Sequence, residues 1–172
     1  PTTGQPAAVC PGRRDWHNGH AWLTVQPHPD DKIKSPAGTG LQPPMKIATW
    51  NVNSLKVRLP HVLDWLAAHQ PDALCLQELK LEDHNFPKAE IEAAGYHVAF
   101  SGQKTYNGVA LLARQPIHDV VCGNPHFPDE QKRLISGTVD GTRVICAYMP
   151  NGQEVGCDKY DYKLRWLDAL AV

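Results

Sequence analysis

Ile47-Ala48-Thr49-Trp50-Asn51-Val52-Asn53-Ser54 is a short apolar run that delivers two carboxamides to its end. Read as a strand, it sends successive side chains to opposite faces, so Asn51 and Asn53 share a face and their amides converge on one point. Such an ending is a way of building a site, because the buried run holds the backbone while its exposed end meets a ligand. The alternative is a strand closed by an Asx turn, since Asn-x-Asn-Ser is also good turn chemistry. A second run decides between them. Ala73-Leu74-Cys75-Leu76-Gln77 is short, continuously apolar and ends the same way, in Glu78.

Between the two runs, Leu59, Val62, Leu63 and Leu66 recur at helical spacing. This predicts an amphipathic helix with Pro60 in its first turn, where a missing N–H is tolerated, and an end at Gln70-Pro71-Asp72. A strand, a helical crossover and a second buried strand imply neighbouring parallel strands. Asn51 and Glu78 then lie on one rim, at the carboxyl ends where open sheets carry their ligands. Downstream, Pro87 to Ala94 closed by Gly95 reads as a short helix. Four β runs follow, Tyr96 to Ser101, Gly108 to Arg114, Leu134 to Val139 and Thr142 to Met149, with Asp140-Gly141 as a hairpin turn. Asp158 to Val172 reads as a final helix, with Asp158 as N-cap and Leu164, Leu167 and Ala171 on its apolar face. Inner residues apolar on both faces, as in Val109-Ala110-Leu111-Leu112, favour two sheets packed face to face with helices outside.

The whole chain sets looser bounds. Its 172 residues, 42% of them hydrophobic, suffice for one core. A net charge of −1 means that any nucleic acid is met by a local patch, not by a global field. Five scattered cysteines, with no Cys-x-x-Cys pair, argue against a zinc site or a disulfide framework. Cys75 and Cys146 sit in apolar runs as small hydrophobes. With no apolar stretch long enough to span a bilayer and no signal series, a protein of a reducing compartment, with no membrane partner, is expected. Residues 1–44 hold 8 of the 15 prolines and 5 of the 13 glycines. They read as a disordered leader or an upstream-translated extension ahead of Met45. Within it, His28-Pro29-Asp30-Asp31 resembles a stretch of certain zinc-dependent deacetylases, but it lacks their flanking features and reads better as a polar turn.

From Met45 to Leu170 the chain resembles the first half of an exonuclease III type apurinic/apyrimidinic endonuclease, of the endonuclease/exonuclease/phosphatase superfamily. Four blocks carry the resemblance in order: Thr49-Trp50-Asn51-Val52-Asn53-Ser54, Leu76-Gln77-Glu78-Leu79-Lys80, Asn107-Gly108-Val109-Ala110-Leu111-Leu112 and Ala147-Tyr148-Met149-Pro150-Asn151-Gly152. The resemblance implies an α/β fold, a four-layer αββα sandwich of which residues 45–172 form about the first half. It implies a magnesium or manganese ion at the strand ends, with Glu78 as ligand and Asn53 in or near the metal's outer shell. Asn51 would orient the catalytic machinery or the phosphate, and Tyr148 would point its phenol at the scissile phosphate. Asn151 and Gly152 would meet the DNA backbone, with Arg133 and Lys104 as further phosphate contacts.

The implied activity is metal-dependent hydrolysis of DNA phosphodiesters in base-excision repair, cutting 5′ to abasic sites and degrading duplex DNA 3′ to 5′. The implied partner is double-stranded DNA with abasic or 3′-end damage, and the complete protein would be a cytoplasmic monomer working at the bacterial nucleoid. Family members continue with a Gly-Asp-x-Asn block, a further Asp and a Ser-Asp-His block, none of which follows Val172. The chain is therefore expected to be truncated at its C-terminus and inactive alone. His61, His69, His84, His97, His118 and His126 match none of those blocks and read as helix, loop or surface residues. Another phosphodiesterase or phosphatase of the superfamily, an RNA nuclease, or a non-catalytic DNA-binding or interaction fragment are the alternatives.

Overall fold

The computed structural model describes residues 44–172, together with two two-residue strands, β1 (Trp16–His17) and β2 (His20–Ala21), that pair antiparallel. The expectations for the rest of the leader, including His28-Pro29-Asp30-Asp31, lie outside the described residues. Two sheets carry the remainder. The first has the order β3 (Ile47–Asn51), β4 (Ala73–Gln77), β6 (Val109–Ala113), β5 (His97–Ser101), and the second β7 (Ile117–Cys122), β8 (Leu134–Val139), β9 (Thr142–Ala147).

β3 and β4 are parallel neighbours in the register Asn51↔Gln77, as the strand–helix–strand order implies. Helix α1 (Leu55–His69) makes the crossover and buries Leu55, Val62 and Leu66. It begins earlier than its apolar spacing suggests, so Pro60 lies inside the helix and not in its first turn. The early start is imposed from β4, because Ser54 N–H and Leu55 N–H donate to the carbonyls of Glu78 and Leu79 at 2.8 and 3.0 Å.

Alternate residues of β4 divide between two cores. Leu74 and Leu76 face α1 and α2 (Lys88–Ala93), joining Val62, Leu66, Ile91, Ala110 and Leu112. Ala73 and Cys75 face the second sheet, joining Val109, Leu111, Ile135, Val144 and Cys146. A helix layer, a sheet and a second sheet of the expected sandwich are thereby formed. The two buried thiols are free and lie in the core between the sheets. Asp140 and Gly141 close β8 onto β9 with φ of 45° and 74°, the left-handed pair that a two-residue hairpin requires.

Two expectations are corrected. Ile117–Cys122 forms a strand that the sequence pattern did not reveal, because it is irregular against β8 between His118 and Val121 and exposes most of its length. Gly137 lets it approach, since a Cβ there would stand 2.4 Å from Ile117 Cγ2. Helix α3 (Asp158–Leu170) is capped at Cys157, with Asp158 as its first residue, and buries Trp166. Leu164 and Ala171 are exposed, so the apolar face expected around them is not the packed one. The helix docks through Phe127 against Tyr162 and through Asn124 Nδ2, which donates to the Ala169 carbonyl at 3.0 Å.

Candidate active site

The parallel pair keeps zipping beyond its last paired residues. Val52 N–H donates to the Gln77 carbonyl at 3.0 Å, and Gln77 Nε2 donates back to Thr49 Oγ1 at 2.9 Å. On the other flank, Leu79 N–H and Lys80 N–H donate to the carbonyls of Gly108 and Asn107. Glu78 is thus held from both sides, with a left-handed φ of 56° that is uncommon for a residue with a side chain. Asn53, Ser54, Lys80, Asn107 and Gln153 share that sign of φ. Such strain concentrates where surrounding structure over-determines a functional arrangement.

The Glu78 carboxylate is the centre. Its Oε1 accepts from Asn51 Nδ2 at 2.7 Å and from the Tyr148 hydroxyl at 2.7 Å, while Oε2 lies 3.1 Å from Lys80 Nζ. Burial alone would raise this carboxyl, but hydrogen bonds from Asn51, Tyr148 and Lys80, with the Lys80 charge, hold it below its ordinary value. Tyr148 moves the opposite way, because burial and the adjoining Glu78 carboxylate both disfavour a phenolate. Glu78 therefore stands as an anion and Tyr148 as a proton donor.

Asn53 is brought to the same place by a different route from the one its spacing suggests. β3 ends at Asn51, and Asn51 Oδ1 accepts the Asn53 backbone N–H at 3.1 Å. The Asx turn is present, and the turn, not strand alternation, aims Asn53. Its Oδ1 accepts from Lys80 Nζ at 2.5 Å, and its carbonyl accepts from Arg58 Nη1 at 2.9 Å. The Lys80 ammonium is therefore shared between Glu78 and Asn53, the two residues expected to serve a metal. A point that gathers a cation between one carboxylate and one amide oxygen fits a hard divalent ion that keeps most of its waters. Among the described residues, no three His, Cys, Asp or Glu side chains converge to hold a metal on their own.

Beside Tyr148 opens a groove of 540 Å³ lined by Gln103, Asn107, Gln131, Arg133, Asn151 and Tyr162, among others. Arg133 lies over the Tyr148 ring, 4.8 Å from its centroid, and its Nη1 donates to the Tyr148 carbonyl at 3.3 Å. Asn151 is exposed on this groove, and its Oδ1 accepts the Gln153 N–H at 3.0 Å. Gly152 is buried, and what it approaches closely is α3, since a Cβ would meet Lys163 Cδ at 3.1 Å and Tyr160 Cδ2 at 3.2 Å. Lys104 is exposed in the same loop as Gln103 and does not line the groove. Lys80, Gln103, Asn107 and Gln131 were missed as site residues from sequence. Lys80 and Asn107 stood in the quoted blocks, and Gln103 stood in the Gln-Lys pair before Tyr106-Asn107-Gly108 that points to the DNA repair branch, whereas nothing in the pattern marked Gln131.

Two sheets bring an amide, a carboxylate and a phenol together at their strand ends, and residues 48–171 match the Endonuclease/Exonuclease/phosphatase family. The chain belongs to that family. It is 39% identical over 115 residues to exodeoxyribonuclease III of Haemophilus influenzae, a match covering 63% of this chain and 43% of that protein. Among solved structures it is similar to the 3′ phosphatase NExo from Neisseria bound to a product DNA hairpin, with a TM-score of 0.72 and 52% identity over 73% of this chain and 49% of that one. It is also similar to an AP endonuclease from Archaeoglobus fulgidus, with a TM-score of 0.71 and 45% identity, covering 73% of this chain and 49% of that one. The chain spans about half the length of these relatives.

Proposed function

We propose that the complete protein is a metal-dependent DNA phosphodiesterase of base-excision repair that cleaves 5′ to abasic sites and shortens duplex DNA from 3′ ends. One observation carries the reading: an anionic Glu78 receives Asn51 and Tyr148 at 2.7 Å each, beside a groove lined by the cations Arg133 and Lys159. The names of the relatives support it, as they include an exodeoxyribonuclease III, an AP endonuclease and a phosphatase solved with DNA.

Glu78 would hold magnesium or manganese with its carboxylate, and Asn53 would contribute from the outer shell, once Lys80 moves aside. When bound, the metal supplies Lewis-acid polarisation of a phosphoryl oxygen. Asn51 fixes the Glu78 carboxylate by its Nδ2 bond. Tyr148 holds its proton at the phenol oxygen and can donate it to a phosphate oxygen as charge develops there. Arg133 and Asn151 bind phosphates along the groove, with Lys104 as an outlying cation, while Gly152 acts through the loop's fold against α3. A duplex with a missing base yields its sugar to a pocket at lower cost, which favours damaged DNA. The complete protein is read as a cytoplasmic monomer; among the described residues no helix is long and apolar enough to cross a membrane.

A second reading, a 3′ phosphatase, is favoured by the 52% identity to NExo. Both are tested by giving the complete polypeptide two magnesium-supplemented duplexes, one with an internal abasic site and one with a 3′-phosphate. Nicking of the first supports the proposal. Release of phosphate from the second alone supports the phosphatase, and inertness toward both contradicts the two readings together.

A further inference from the structure

Arg133 is a long side chain held in one direction by Tyr148 and by neighbours that play no part in the chemistry above. Its Nε donates to Gln131 Oε1 at 2.8 Å, which leaves the outer edge of the guanidinium facing the groove while Nη1 meets the Tyr148 carbonyl. Gln131 is itself fixed. Its backbone N–H donates to Asp129 Oδ1 at 3.0 Å, and its Oε1 also accepts from Asn107 Nδ2 at 3.5 Å. Asn107 is buried, with a left-handed φ of 52°, and gives a stronger bond from Nδ2 to Gln103 Oε1 at 3.0 Å. Gln103 Oε1 in turn accepts the Lys132 N–H at 3.0 Å, and the Asn107 carbonyl accepts the Lys80 N–H at 3.1 Å. Asp129 is anchored from α3 by the Tyr162 hydroxyl. The segment 129–133 is therefore tied on one side to the loop that presents Glu78 and on the other to α3.

We propose that Gln131 is a positioning residue for Arg133, its carboxamide oxygen holding the guanidinium over Tyr148, with Tyr162 beside it, so that the remaining N–H groups point at a backbone phosphate in the groove. The inference rests on the reading of this groove as a nucleic-acid site. An amide serving only the loop would bond backbone groups, whereas Gln131 Oε1 meets the side chains of Arg133 and Asn107. An acceptor on Nε suits an arginine, whose planar fork then has its remaining donors fixed in direction.

The test is a double-mutant cycle on the complete polypeptide, read as the affinity for a fluorescently labelled duplex carrying one tetrahydrofuran abasic analogue, in EDTA, at several salt concentrations. Arg133→Ala is expected to weaken binding about tenfold and to lower the salt slope by about one. Gln131→Met keeps the size and removes the acceptor; it is expected to cost about fivefold in the native background and under about twofold in the Arg133→Ala background. Gln131→Ala, run through the same cycle, guards against a misfolded methionine variant and should show the same loss of coupling to Arg133. Equal losses from Gln131→Met in both backgrounds, or no loss in either, overturn the role of Gln131 alone. Unchanged binding by Arg133→Ala overturns it together with the reading of the groove.

Discussion

The two sheets are built on different terms. In the first, β4 and β6 have no exposed position: alternate residues of β4 go to the helices and to the second sheet, and the strand is walled on both faces. In the second, β7 is exposed over most of its length, and a long polar side chain reaches across its neighbour. Arg143 lies across β8, with Nη2 donating to Ser136 Oγ at 2.6 Å and Nη1 to the Asp119 carbonyl at 2.6 Å. Asn51 and Glu78 grow from the ends of the first sheet, while Tyr148 and Arg133 flank the strands of the second. The difference teaches that the carboxylate is set by a rigid, doubly buried element. Tyr148 and Arg133, the groups proposed to meet a phosphate, come from a sheet with fewer constraints, and Arg133 depends on side-chain bonds to hold its aim.

The largest expected effect breaks the first sheet. Leu76→Ala removes a fully buried side chain facing α1 and should cost about 2–5 kcal/mol in urea unfolding of the complete polypeptide, whereas Val120→Ala on β7 should stay within about 0.5 kcal/mol. Comparable losses from both would erase the contrast. Next comes a change that leaves the sheet alone. Asn51→Ala removes one preorganised donor to Glu78 and should lower the nicking rate about a hundredfold, equivalent to ~3 kcal/mol, with magnesium affinity spared. A rate within twofold of the parent would show that Glu78 needs no such guidance.

A smaller effect has the opposite sign. Lys80→Met removes the ammonium shared by Glu78 and Asn53, so magnesium should bind about two- to fivefold more tightly, as expected for the loss of a partly exposed competing ion pair. Weaker magnesium binding in an isothermal titration would mean that Lys80 organises the site and does not compete for it. The smallest effect lies at α3. Burial and the Asp129 carboxylate push the Tyr162 phenol up to about 12, so the folded state favours its proton. That stabilisation is present in full below the unfolded value of about 10 and is lost as pH rises through about 12. Tyr162→Phe should therefore be less stable than the parent at neutral pH, with the gap closing over that alkaline window; a gap independent of pH would assign the effect to packing.

How far the sequence could be read follows the same division. β4, α1 and the β8–β9 hairpin were legible because each rests on a local rule: a continuous buried run, a helical repeat, and an Asp-Gly pair that accepts positive φ. Glu78 and Asn51 were legible because a strand ending in a polar side chain is visible in one dimension. β7 was not, since Ile117, Val120 and Val121 neither alternate nor run together, and its pairing is a tertiary matter. The packed face of α3 was misjudged for a related reason: spacing favoured Leu164, but the helix buries Trp166, and the loop after β7 meets the helix with Phe127 at Tyr162 and Asn124 at the Ala169 carbonyl. Gln103 was visible as part of the Gln-Lys pair before Tyr106, though its bonds were not, and Gln131 was illegible, because a glutamine acquires a role only from the groups that folding brings to its amide.

The most direct test of the central claim is a magnesium titration of the complete polypeptide carrying Glu78→Gln. The substitution keeps the size and the hydrogen-bonding capacity of the side chain and removes the anion held by Asn51, Tyr148 and Lys80. If Glu78 is the metal's carboxylate, magnesium affinity and nicking of abasic duplex fall together. If Glu78 only closes the end of β4, the melting temperature shifts slightly and the magnesium titration is unmoved, which would contradict the assignment.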